Sequence, residues 1–226
     1  MPFFGYYEDF LENLKIDSRL PAGVDLLYPF KDSSVAKVCK IFYKKFYNDK
    51  DERIFLIGIN PGRFGAGVTG IPFTDPIRLD SKCGISNPFE KRGELSSIFI
   101  YDMIKAFGGV DAFYKRFLIT AVSPIGFVKD GKNLNYYDMR ELQDSLESFI
   151  VASMKKQLAM GGRTDIAFSI GKGKNIAYLK YLNYKYGFFD KIEALPHPRW
   201  VMQYRLKKKQ EMIDVYLDML SSKDQS

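Results

Sequence analysis

The chain has one histidine, one tryptophan and two cysteines among 226 residues, and each scarcity removes a class of chemistry. Cys39 and Cys83 stand far apart and form no C-x-x-C pair. A four-cysteine zinc site or a cysteine-held iron–sulfur cluster therefore has no ligands, and a disulfide framework is not expected. A lone histidine leaves a conventional metal constellation equally bare. No metal and no cofactor are expected. No run approaches the ~20 apolar residues of a membrane span. The first residues lack the basic start and long apolar core of a signal peptide, and no repeat or low-complexity tract occurs. These absences predict an intracellular protein (cytoplasmic, or nuclear in a eukaryote) with no membrane partner. One domain over residues 1–226 is expected, with 1–25 as an N-terminal extension packing on it, and a monomer is the default.

What is present reads as an ordinary globule. Hydrophobic residues make up 46% of the chain and charges are mixed, and the length suffices to bury roughly 70% of the unfolded surface. The formal charge of +7 and pI of about 9.1 have the sign of a nucleic-acid binder, although a ribosomal or membrane-surface protein would share them.

The stretch 53–75 organises the rest. Ile54 to Ile57 is an unbroken apolar run, read as a parallel strand buried on both faces. It stops at Gly58; Asn60 precedes Pro61, which pushes it out of the helical region. Gly62, Gly65, Gly67 and Gly70 then allow backbone to approach a ligand closely. A glycine-rich turn after a strand is where open α/β sheets bind ligands. The loop is no phosphate cradle: G-x-x-x-x-G-K-[ST] is absent, and Gly65-Ala66-Gly67 has no third glycine at the dinucleotide spacing.

Further strands are predicted at 117–122, 166–170 and 189–195, and helices at 6–15, 33–47, 95–107, 138–160, from about 174 to 183, and 205–220. The second helix carries Val35, Val38, Ile41, Phe42 and Phe46 on one stripe, with Lys40, Lys44 and Lys45 on a solvated face. Asp138 and Glu141 resemble a capping box. Alternation of strands and helices predicts an α/β fold, a three-layer α/β/α sandwich around a mostly parallel four-stranded sheet.

Gly58-Ile59-Asn60-Pro61-Gly62, Phe64-Gly65 and Thr69-Gly70-Ile71-Pro72-Phe73 resemble the first motif of the single-strand-selective monofunctional uracil-DNA glycosylase (SMUG) family. Leu27-Tyr28-Pro29, Gly93-Glu94-Leu95-Ser96, Ser123-Pro124, Gly131-Lys132-Asn133-Leu134 and His197-Pro198-Arg199 follow the family's order, so the resemblance covers about 26–215. It implies a uracil-DNA glycosylase-like fold and DNA as partner. It also implies hydrolysis of the N-glycosidic bond of a flipped-out deaminated base in base excision repair.

The implied roles suit the chemistry. Cleaving the bond leaves an oxocarbenium-like sugar and a departing base that takes negative charge. Asn60 corresponds to the asparagine that holds the attacking water; alone, it could equally be a turn residue bonding its own backbone. His197 corresponds to the histidine that donates to the base oxygen as it becomes negative. Phe73 corresponds to the aromatic that stacks on the base, although a core phenylalanine beside Pro72 fits the sequence as well. Backbone amides of Ile59, Gly62 and Phe64 lie where a base edge could be read. Trp200 to Tyr204, including Met202 and Gln203, would fill the vacated stack. Arg199, Arg205, Lys207, Lys208 and Lys209 would follow phosphates, the three lysines reading equally as a solvated run.

Two departures matter. The family has His-Pro-Ser-Pro-Arg where this chain has Leu195-Pro196-His197-Pro198-Arg199, so aligning on His-Pro leaves two residues missing. The family's base-reading asparagine falls on Ala121, which cannot hydrogen-bond uracil through its side chain. Another group must read the base, or a different deaminated base such as xanthine or hypoxanthine is taken. The expected activity is a monofunctional DNA glycosylase. The alternatives are a catalytically weakened nucleic-acid-binding relative and a nucleoside or nucleotide hydrolase.

Overall fold

The computed structural model describes residues 3–17 and 19–221. Its elements run α1 (Phe3–Glu12), β1 (Val24–Leu27), α2 (Ser33–Phe46), β2 (Arg53–Gly58), α3 (Ala66–Thr69), α4 (Pro76–Ser81), α5 (Leu95–Phe107), α6 (Val110–Arg116) and β3 (Phe117–Ala121). They continue with β4 (Gly126–Lys129), β5 (Lys132–Leu134), α7 (Arg140–Ala159), β6 (Gly162–Ile170), α8 (Lys174–Tyr186), β7 (Lys191–Leu195), α9 (Pro198–Tyr204) and α10 (Lys209–Ser221).

β3, β2, β6 and β7 form, in that order, a four-stranded sheet whose neighbours are all parallel. The apolar run of β2 lies at its centre, with Phe55, Leu56 and Ile57 fully buried between helices on both faces. α7 and α8 pack on β6, and α6 on β2 and β3. A charge enters the core at the start of β2. Arg53 opens β2 fully buried, and its guanidinium donates to the Tyr114 carbonyl (2.9 Å), the Asp51 carbonyl and the Asp49 carboxylate (2.8 Å). A buried cation is tolerable only with its donors spent in this way.

β1, β4 and β5 make a separate antiparallel sheet of three short strands, which the sequence pattern did not predict. Other elements depart from prediction by local chemistry. Asp138 caps no helix: it accepts from the Asn135 N–H at 2.8 Å, and α7 begins at Arg140 after Met139. Ile41 is 43% exposed, and Cys39 and Tyr43 fill the buried face of α2 in its place. The predicted last helix starts four residues late, after a 3-10 turn at Leu206–Lys208.

Candidate functional site

A cleft of about 1110 Å³ opens at the carboxyl ends of the parallel strands. The loops that leave β2, β6 and β7 wall it together with the end of β3 and residues 133–137 in and after β5, as expected where strand ends of an α/β sheet face solvent. It brings together Ile59, Asn60, Gly62, Phe64 and Phe73 from the first motif, Ala121 from β3, and His197 from the loop after β7. Arg199, Trp200, Gln203 and Tyr204 line it from α9, whereas Met202, Arg205 and Lys207 do not.

The stretch after His197 is a helix because Pro198 at its first position has the right φ and needs no donor there. Arg205 stacks its guanidinium on Trp200 at 5.2 Å. Lys208 pairs with Glu211 at 3.1 Å and Lys209 with Asp102, so two of the three lysines expected on phosphates are held within the protein.

Asn60 is fixed by an unanticipated partner. Its Nδ2 donates to the carbonyls of Leu134 and Pro61, both at 3.2 Å, and its Oδ1 accepts from the Tyr136 N–H at 3.0 Å. The carboxamide thus has one orientation, with a second Oδ1 lone pair remaining. Tyr136 continues the chain of bonds, donating through its hydroxyl to Asn175 Oδ1 at 2.9 Å. The Asn175 amide is shared among the carbonyls of Ile57 and Gly58 (3.3 Å each) and Ser169 Oγ (3.2 Å). Both residues are buried. They tie the end of β2, the segment after β5 and the start of α8 into one frame around Asn60.

His197 caps α9, its Nδ1 accepting from the Arg199 N–H at 3.2 Å. The neutral ring therefore carries its hydrogen on Nε2. Burial, followed by the positive charge of Arg199, lowers its pKa to about 4. The loop is anchored beneath, where buried Tyr216 donates to the Pro196 carbonyl.

Phe73 faces His197 with ring centroids 6.1 Å apart and planes inclined by 54°. Its φ of 53° is a left-handed conformation that a phenylalanine rarely adopts. Surrounding bonds over-determine it: buried Thr69 Oγ1 donates to the Thr74 carbonyl (2.6 Å) and accepts from the Ile71 N–H (3.2 Å), and Thr74 Oγ1 meets the Tyr101 hydroxyl at 2.9 Å. Gly58 makes room for the ring, since a Cβ there would lie 2.9 Å from Phe73 Cε2.

The other glycines divide. Gly62 and Gly65 line the cleft. Gly67 and Gly70 serve internal packing and not a ligand: a Cβ would stand 2.5 Å from the Gly62 carbonyl oxygen and 2.5 Å from Cys39 Sγ, respectively. Ala121 is the register partner of Gly58 on the cleft wall, and the neighbouring Thr120 hydroxyl is turned away to Gln157.

Tyr136, Asn175, Thr69 and Thr74 were not anticipated as parts of the site. The one available signal was Asn175 following Gly171-Lys172-Gly173 after a buried strand, the same punctuation that marked residues 58–62. Among the described residues no cluster of side chains could hold a metal ion, and no helix is long and apolar enough to cross a membrane.

Residues 44–221 match the family model of the uracil DNA glycosylase superfamily. No curated protein matches the chain. Among solved structures, the crystal structure of wild-type Pedobacter heparinus SMUG2 is similar over 100% of both chains, with 42% identity and a TM-score of 0.97.

Proposed function

Because the chain belongs to the uracil DNA glycosylase superfamily, and is thereby a DNA glycosylase, a hydrolase of N-glycosyl bonds, we propose that its cleft takes a deaminated base flipped out of DNA and that Asn60 and His197 carry the hydrolysis. The observation that carries this reading is the placement of His197: it lines the cleft with Nδ1 occupied by the Arg199 N–H, so that a ring kept neutral by burial has Nε2–H as its free donor. As the glycosidic bond lengthens, charge gathers on the base oxygen, and a donor fixed beforehand stabilises it without reorganising. The base lies on Phe73 across from that donor, a stack worth roughly 1–3 kcal/mol.

Asn60 Oδ1 holds the water through its remaining lone pair, on the side of the sugar opposite the departing base. An uncharged amide activates water weakly, so stabilisation of the leaving anion supplies most of the rate. Uracil is the base the resemblance implies, and xanthine and hypoxanthine fit the absence of a reading side chain at Ala121. The product is an abasic site, which places the reaction at the first step of base excision repair. The reading includes no strand cleavage.

The test is base release from oligonucleotides carrying uracil, xanthine, hypoxanthine or no lesion, single- and double-stranded. Release from a lesion strand that Asn60→Ala and His197→Ala each suppress is the expected result. Turnover that survives both substitutions overturns the assigned roles. Tight binding with no release from any strand leaves a DNA-binding relative.

A further inference from the structure

Phe64 is 36% exposed at the lip of the cleft and carries a guanidinium at each of two positions on its ring. The Arg92 carbon lies 4.0 Å from the ring centroid and the Arg63 carbon 5.1 Å. Two like charges sharing one aromatic ring repel each other, and no carboxylate of the described residues forms an ion pair with either. Arg63 Nε is buried and has no hydrogen-bond partner. The backbone beneath is fixed, for the Arg63 N–H donates to Asn133 Oδ1 at 3.0 Å. A guanidinium that meets a ring through its flat face keeps its in-plane N–H groups free to bond the oxygens of a phosphate.

We propose that Arg63, Phe64 and Arg92 form a phosphate clamp that grips a phosphodiester of the lesion strand immediately beside the flipped nucleotide. Position fixes the occupant. Arg63 follows Asn60 by three residues, at most about 10 Å along the chain, so an anion held there is a neighbour of the sugar under attack. Trp200, which lines the α9 side of the same cleft, carries a second aromatic–arginine contact with Arg205 behind it. The role differs from the one expected of Phe64, a backbone amide reading the base: here its ring is a platform that holds two arginines in place. The clamp rests on the proposed site, but its test separates the two.

The experiment uses oligonucleotides carrying a single uracil, with a neutral methylphosphonate replacing one phosphodiester at a time on either side of it, and matching strands with an abasic-site analogue for binding. Wild type, Arg92→Gln, Arg63→Gln and the control Lys50→Gln are compared by KM, by Kd and by the dependence of Kd on salt. Lys50 precedes β2, at the far end of the sheet from the cleft.

In wild type, one flanking methylphosphonate should weaken binding about 3- to 10-fold. Each clamp variant should lose a similar factor on the unmodified strand, lower the salt slope by about 0.7 on single strands, and lose most of its response to that methylphosphonate. The control should keep the wild-type slope. Clamp variants that retain the wild-type slope and the same methylphosphonate sensitivity overturn the clamp, as does a control that loses as much slope as they do. Arg92 is exposed, so its variant answers the question even if Arg63→Gln unfolds. Should wild type bind strands with this pattern yet release no base, the clamp stands and the proposed hydrolysis falls.

Discussion

Base release should be indifferent to pH over most of the range in which an ordinary histidine titrates. With its pKa lowered to about 4, His197 is protonated in roughly one molecule in a thousand at pH 7 and about 3% of molecules at pH 5.5. The cause is physical: burial disfavours the imidazolium, and the Arg199 charge adds to the penalty. Protonation would also place a hydrogen on Nδ1, facing the Arg199 N–H that now donates to it from 3.2 Å. Two donors cannot share that bond, so the ring must leave its position as the proton arrives. Single-turnover release of uracil with enzyme in excess, measured from pH 4 to 9, should show a plateau above about pH 5.5 and a fall whose midpoint lies near 4. A midpoint between 6 and 7 would refute the neutral donor.

The same shift has a consequence for stability, and its sign can be worked out. Unfolded, the histidine titrates near 6.5; folded, near 4. Between those values the unfolded chain binds a proton that the folded one refuses, so stability rises with pH through this window and is lost on acidification. At 1.36 kcal/mol per unit the full effect is on the order of 3 kcal/mol, an upper bound for a side chain that retains some solvent contact. Since no other histidine exists, urea unfolding of wild type and His197→Gln at pH 7 and pH 4 isolates it. The gap between the two should move in favour of the variant at pH 4.

Three further outcomes follow from the geometry. Gly58→Ala sets a Cβ 2.9 Å from the Phe73 ring, so kcat/KM on a uracil strand should fall at least about fivefold, the lower end of a lost base stack, while circular dichroism shows the fold retained. Tyr136→Phe deprives buried Asn175 Oδ1 of its donor; the chain should lose about 1–3 kcal/mol in urea unfolding, and single-turnover release should slow with strand affinity unchanged. Asn60→Asp would replace Nδ2 by an oxygen 3.2 Å from two carbonyl oxygens, raising the carboxyl pKa. The variant's thermal midpoint, relative to wild type, should therefore be best preserved below the unfolded Asp value of about 3.9 and decline as pH rises towards 7.

Sequence pattern exposed the parts of the fold whose signal is local and repeated. β2 is an apolar run closed by glycine, and α5 spans Leu95–Phe107 as read, stopping at Gly108 with φ of 121°. β1, β4 and β5 escaped because strands of three or four residues with half-exposed faces hold too few positions for a period to show. α9 escaped because Pro196-His197-Pro198 reads as a stiff loop, although the second proline also starts a helix. Asn60 and His197 converge on one cleft because each lies just beyond a strand end, and the loop that follows β2 brings Phe73 back to it. The frame that holds Asn60 could not be read in advance: Tyr136 and Asn175 are 39 residues apart, and only the tertiary fold puts the hydroxyl of one on the carbonyl of the other.

That frame bears on base selection under the proposed function. Asn60 spends its amide on Leu134 and Pro61, so it cannot also donate to a base. On the wall formed by the ends of β2 and β3, Gly58 and Ala121 are register partners without polar side chains, and the hydroxyl of Thr120 is committed to Gln157. No side chain of this wall can therefore tell a 4-amino from a 4-keto pyrimidine by hydrogen bonding, the discrimination a carboxamide would supply. Under the proposed function, recognition then falls to the Nε2–H of His197, the shape above Phe73, the backbone amides of Ile59, Gly62 and Phe64 and the other polar groups of the cleft, Asn133 and Asn135 among them, and the first two act on what deaminated bases have in common. Each carries a carbonyl beside a ring N–H, and each leaves more readily as a delocalised anion than its amino parent. A donor aimed at that carbonyl stabilises the departing base in proportion to the charge it gathers. Selection, under that proposal, would lean more on how stable the departing base is as an anion and how it fits the stack than on any side chain at position 121. Under the proposed function, the alanine at 121 would widen the range of bases accepted while leaving the roles proposed for Asn60 and His197 in place.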